Sequence, residues 1–181
     1  RMNLLASGSP GEVREEAVRL ADMGFLQASE VDEVDVSSIA AFFATPEGRM
    51  LTDNADKVRR EVPFTLSVPA ALVAGQMSAP RELTDEADEV LLQGVIDVLV
   101  EDRDGLTILD YKTDALSAGQ IDDAVARYSP QVALYALAAE TILGKPVRKV
   151  IIAFLTAGEV REVDWRGYLA SRGLPLPTSM D

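Results

Sequence analysis

The sequence holds no cysteine and no histidine. Without cysteine the chain has no disulfide, no zinc–thiolate site and no iron–sulfur cluster of its own, which suits a reducing cytoplasm, its expected location. Without histidine it has no Ser-His-Asp triad, no imidazole base and no imidazole metal ligand. Any catalysis must therefore rest on carboxylates, lysines, tyrosines or a metal held by oxygen. No apolar run reaches the length of a membrane span, and the opening stretch RMNLLASGSPGEVREEAV lacks the apolar core of a signal peptide. A GxxxxGK[ST] phosphate loop is absent too, so ATP handling is not expected in this piece. Positive charge is scarce: 17 lysines and arginines face 30 acids, a net charge of −13. Taken in bulk, that opposes nucleic-acid binding, which draws on basic surface.

What is present is ordinary globular material. Apolar residues make up 48% of the 181 and charged residues 26%, enough for one domain with a real core. The chain begins at Arg1 rather than Met, and the expectation is a piece cut from a longer polypeptide.

Apolar spacing predicts helices over residues 11–24 and 35–44, with a short third from 46 to about 57. A strand follows at 60–68, where Pro63 points to a sheet edge or a bulge. Residues 69–89 are polar and acidic and read as a loop. Strong strands are expected at 91–101 and 106–113, joined through Asp104-Gly105, a hairpin turn dipeptide. Two helices, 118 to about 127 and 130–143, precede a buried strand at 147–156 and a last strand at 160–165. The tail, SRGLPLPTSMD, reads as loose. This order describes an α/β domain, a mixed sheet with helices packed on it. Its expected division is an N-terminal helical part at 1–57, a core at 58–165 and a loose tail at 166–181.

The chemistry concentrates in the hairpin GVIDVLVEDRDGLTILDYKT. A two-residue loop at Asp104-Gly105 sets Asp97 opposite Lys112. A four-residue loop over 102–105 sets Asp97 opposite Asp110. Both registers put Asp97, Asp110 and Lys112 on one face, whereas a three-residue loop would separate them. Like charges across a sheet repel, and ions within apolar strands must be desolvated. A divalent cation bound through oxygen relieves both, and magnesium or manganese suits that ligand type. Lys112 beside it would orient or deprotonate water, or stabilise charge growing on a phosphate. The plainer alternative is a buried ion pair among the three. Farther on, Gln131 and Tyr135 stand four apart on one helix face.

GVID (94–97), ILDYKTD (108–114) and QVALY (131–135), in this order, resemble the RecB-type branch of the PD-(D/E)XK nucleases. REVPF (60–64) and IIAFLTAGEVREV (151–163) add a resemblance to the C-terminal nuclease domain of the AddA helicase–nucleases, which process DNA double-strand breaks in bacteria. The similarity spans roughly residues 35–165. It implies a restriction-endonuclease-like mixed sheet flanked by helices and an exonuclease chemistry acting on single-stranded DNA. Asp97, Asp110 and the Tyr111 carbonyl would bind Mg2+, or Mn2+ in its place, with Lys112 as the catalytic lysine. Gln131, Tyr135, Glu61 and Thr113 would be accessory or substrate-binding residues. The implied partners are DNA, the helicase domains of the same longer chain, where ATP would be used, and an AddB-like partner; no membrane is involved.

One departure stands out. RecB-type nucleases carry a histidine on a helix upstream of the core, and this chain has none. Either it lies before residue 1 or it has been lost. A catalytically incomplete scaffold or DNA-binding module is the competing expectation, and an unrelated α/β domain with a structural ion pair is a third. The charge conflict is local: residues 81–104 are rich in acids, while Lys57, Arg59 and Arg60, and Lys145, Arg148 and Lys149, form basic groups that would meet phosphates.

Overall fold

The computed structural model describes residues 8–70 and 89–172; the acidic loop expected at 69–89 and the end of the tail lie largely outside them. Three helices come first: α1 (Pro10–Asp22), α2 (Val36–Phe43) and α3 (Pro46–Asp53). Each has a side-chain N-cap. Ser9 accepts from the Glu12 N–H and Glu12 returns the bond, while Asp35 and Thr45 cap α2 and α3. The strands are β1 (Val58–Pro69), β2 (Glu89–Glu101), β3 (Leu106–Lys112), β4 (Val147–Phe154) and β5 (Glu159–Glu162). They form one sheet in that order, antiparallel except for the β3–β4 pair. That parallel pair needs a crossover, which α4 (Ile121–Leu143) provides. This is the expected restriction-endonuclease-like α/β fold.

Both faces of the sheet are covered. Leu99, Ile108, Ile152 and Phe154 face α4, joined by Val132, Ala133 and Ala136 from the helix. Val98, Val100, Leu109 and Ile151 face the N-terminal helices, where Val13, Phe42, Phe43 and Leu51 close the second core. β3 and β4 are buried on both sides and therefore read as near-continuous apolar runs.

Two expectations need correction. The helices expected at 118–127 and 130–143 are one 23-residue helix with Pro130 inside it. Proline there removes one backbone bond and costs about 3 kcal/mol. Burial on both sides of the break, from Ile121 and Ala124 to Val132 and Ala136, outweighs it. Ser129 also turns its hydroxyl to the Val125 carbonyl, 2.7 Å away. The last strand stops at Glu162, and Trp165–Ala170, expected as strand end and loose tail, form helix α5. The cap is Asp164, which accepts from the Gly167 N–H at 2.8 Å. Trp165 and Leu169 are buried in the α4-side core.

A buried carboxylate ties this end together. Both Glu140 oxygens accept from Arg166 at 2.7 Å, and Oε2 also accepts the Val147 N–H. Glu140→Ala would leave the Arg166 charge and a strand-leading N–H without that partner. It is expected to lower the unfolding free energy by about 3 kcal/mol, read from the denaturant midpoint at unchanged slope.

Candidate active site

The β2–β3 hairpin takes the four-residue loop. Glu101 pairs with Leu106, and Asp102 Oδ1 caps the turn by accepting the Asp104 and Gly105 N–H groups. The two-residue register is thereby excluded. Pairing runs back only to Val98 opposite Leu109. Beyond that point β2 continues with β1 as far as Glu89, while β3 continues with β4 to Lys112. The sheet forks there. Asp97 and Asp110 are the next residues on the two diverging strands and would be opposite one another in the same register.

The fork has a backbone cause on the β1–β2 side. Val98 and Val100 face the N-terminal helices, yet Ile96, two residues from Val98, packs on the α4 side. The alternation reverses at Asp97. Across from it Glu61, bracketed by the pairs Arg60–Val98 and Val62–Ile96, has φ +50°. Left-handed backbone at a non-glycine residue costs about 1–2 kcal/mol, and here it marks where β1 and β2 change faces together.

Asp97 bridges the gap with its side chain: Oδ2 accepts the Tyr111 N–H at 3.0 Å. A strand residue sends its N–H and C=O to the same edge, so the Tyr111 carbonyl faces this gap as well. The Tyr111 ring lies on the other face, edge-on to Phe42 at 5.4 Å. Asp110 is buried, with 2% of its side chain exposed. The Lys112 ammonium stands 2.8 Å from Asp110 Oδ2. That approach is a charge contact out of line for a hydrogen bond, and the oxygen has no directed partner. Burial pushes the Asp110 carboxyl above the usual carboxylate range; Lys112 opposes the shift and Asp97 adds to it.

From Lys112 a chain of contacts runs onto α4. Its Nζ donates to Gln131 Oε1 at 3.0 Å, and Gln131 Nε2 donates to Tyr135 Oη at 2.7 Å. An ammonium has no lone pair to offer, so the amide must present its oxygen to Lys112 and its nitrogen to Tyr135. The Tyr135 hydroxyl thus keeps its own proton to donate, and burial raises its pKa. The Tyr135 ring packs edge-on against Phe64.

Five of the expected residues, Asp97, Asp110, Lys112, Gln131 and Tyr135, therefore form one cluster with the Tyr111 backbone beside it. Two do not join. Thr113 is exposed and contributes only its carbonyl, to Thr156. Glu61 is exposed, and among the described residues no three acids or imidazoles group closely enough to hold a metal. The basic residues near β4 also fall elsewhere. Lys145 pairs with Glu101, Arg148 donates to the Asp104 carbonyl, and Lys149 lies between Glu47 and Glu162. They occupy the turn end of the hairpin, about 20 Å along β3 from Lys112.

Sequence reasoning missed Tyr128 and Asp114. The Lys112 ammonium sits 4.3 Å over the Tyr128 ring. Tyr128 Oη bonds to Asp114 at 2.9 Å, and Arg127 reaches the same carboxylate at 3.2 Å. A signal existed: Tyr128, Gln131 and Tyr135 follow i, i+3, i+7 spacing on one helix face.

Do these groups fit a divalent cation? Two convergent carboxylates, one with a buried oxygen lacking a directed partner, are the donor set that hard cations take. The raised pKa of Asp110 reflects the same unmet negative charge.

A forked sheet carrying two aspartates and a lysine defines a class, and the sequence agrees with it. The profile of the PD-(D/E)XK nuclease superfamily matches residues 7–166, and the chain belongs to that superfamily. Nucleases of this superfamily generally use divalent metals. Within it, the chain is similar to AddA, the larger polypeptide of ATP-dependent helicase/nucleases that carries both activities in its name. It is 43% identical to AddA of Desulforamulus reducens over 70% of the chain and 10% of the relative. For Moorella thermoacetica AddA the figures are 35% identity over 77% of the chain and 9% of the relative, and for Geobacillus kaustophilus AddA 38%, 84% and 12%. The chain thus spans about a tenth of the length of these relatives.

In the absence of divalent cation, the buried Asp110 charge gives a signed pH dependence. Its folded pKa is raised, so its stabilising contribution is fully present below the unfolded value of about 3.9. That contribution is lost as pH rises through the folded value. Denaturant midpoints taken across this range in EDTA are expected to fall for the wild type relative to Asp110→Asn. A difference of the opposite sign would mean that Lys112 outweighs burial.

Proposed function

We propose that this chain is the metal-dependent exonuclease module of a longer helicase–nuclease, hydrolysing phosphodiesters of single-stranded DNA during recombinational repair of double-strand breaks. The observation that carries the reading is the fork, where Asp97 and Asp110 come together with Lys112 in contact with the buried carboxylate.

In this reading Asp97, Asp110 and the Tyr111 carbonyl hold Mg2+ or Mn2+. The cation supplies Lewis-acid charge for the phosphate and acidifies the attacking water. Lys112 offers ammonium N–H groups where negative charge grows on the phosphate in the transition state. Gln131 fixes the Lys112 side chain from one side and the Tyr128 ring supports it from another. Tyr135 donates its retained proton to a phosphate oxygen. Glu61 and Thr113 stay at the periphery as substrate contacts. The helicase domains of the same polypeptide and an AddB-like partner hold most of the DNA, which reconciles the net charge of −13 with the substrate. The setting is the cytoplasm.

The test is cleavage of end-labelled single-stranded and duplex DNA by the full-length polypeptide in Mg2+ and in EDTA, with ATP withheld so that unwinding does not intervene. Mg2+-dependent shortening of the single strand is expected. Cation binding without cleavage would point instead to a catalytically incomplete binding module.

A further inference from the structure

A cleft of about 540 Å³ runs beside the cluster, between the β1–β2 arm and α4. Gln131 and Tyr135 belong both to its wall and to the network that holds Lys112. Its apolar lining comes from Phe64, Leu92 and Leu134. Gly94 sets its width, since a Cβ there would come within 2.7 Å of the Phe64 ring.

The charge on this cleft is opposite to that of the chain. Arg127 and Arg172 line it, and no acid does among the described residues. Arg127 is laid over the Tyr128 ring, 4.7 Å from its centroid. A guanidinium plane backed by an aromatic ring is a surface on which nucleic-acid bases stack. The volume lies within the range of about 300–1,000 Å³ typical of sites for small organic ligands, a scale that suits one nucleotide. A base pair would bring a second backbone with it.

We infer that this cleft is a subsite for one unpaired nucleotide of a single strand, continuous with the phosphate position at Asp97 and Asp110. The base lies along the Arg127–Tyr128 stack and the apolar wall, and Arg127 and Arg172 meet the flanking phosphates. The inference rests on the nuclease reading above and deepens it: the need for a single strand becomes a property of this domain as well as of the helicase.

The experiment uses the full-length polypeptide in EDTA, where no cleavage is expected, and single-stranded oligodeoxynucleotides alike except for one abasic residue moved stepwise along the strand. Fluorescence anisotropy reads the affinity. The abasic residue is expected to weaken binding by at least about fivefold at one or two positions. Gln93→Trp, which fills the cleft from an exposed position, and Arg127→Gln should each flatten that dependence at those positions. A flat profile in the wild type, or an unchanged profile in both variants, would overturn the subsite. The same preparations are then given Mg2+. Cleavage with a flat profile removes the subsite alone. Position dependence that both variants abolish, without cleavage, supports the subsite and removes the nuclease reading.

Discussion

Asp110→Asn is expected to lower DNA cleavage by about 10³-fold or more while leaving the cation-free fold as stable as the wild type, or more so. Two consequences of one placement diverge here. Asp110 is 1% exposed and lies beside Asp97. Its charge is costly in the empty fork, and the amide removes that cost while keeping the shape. A cation draws on the same charge for its binding, and losing several kcal/mol of transition-state stabilisation corresponds to about three decades in rate or more. Thermal unfolding in EDTA beside cleavage rates in Mg2+ reads both effects. A variant that unfolds early without cation would show that Asp110 serves the fold, as in the plain ion-pair reading.

Lys112→Ala is expected to reduce cleavage by about 10²–10³-fold, the scale of losing one preorganised charge-stabilising donor, while cation binding persists. Its stability signature is the reverse of the first. Without Lys112 the buried Asp110 carboxylate loses its one close cation, and breaking a buried pair by removing one partner costs about 3 kcal/mol at neutral pH. Added Mg2+ or Mn2+ should return much of that loss, because the metal takes over the neutralising role. The pair of variants therefore forms a cross. One is stable without metal and unresponsive to it, and the other is unstable without metal and rescued by it. Loss of rescue in Lys112→Ala would place the cation elsewhere.

How far the sequence alone led can be judged residue by residue. The common face of Asp97, Asp110 and Lys112 was legible because both even-length loops preserve side-chain parity, and the structure uses the longer of the two. The fork was not legible. It depends on where two strands part, and the left-handed Glu61 that accompanies it leaves no local mark in REVPF. Pro130 misled in the expected direction: proline is a local rule, and burial on both flanks of α4 overrode it. Helix α5 carried its own signal, Asp164 before Trp165, but continuation of the strand through Trp165 was the stronger pattern. The basic residues near β4 show the limit of counting charges, since their places on the sheet put them at the turn end, paired with acids. Tyr128 was legible in helical spacing, but its contact with Lys112 depends on how α4 lies over β3.

The central claim is that the fork between β2 and β3 binds a divalent cation through Asp97 and Asp110. It is tested most directly by measuring unfolding free energy against Mg2+ or Mn2+ concentration, for the wild type and for Asp110→Asn. Binding to the folded state alone should stabilise the wild type by about 2.7 kcal/mol at a hundredfold excess over Kd, with no comparable rise in the variant. A wild type whose stability does not respond to either cation, or a variant that responds equally, would contradict it.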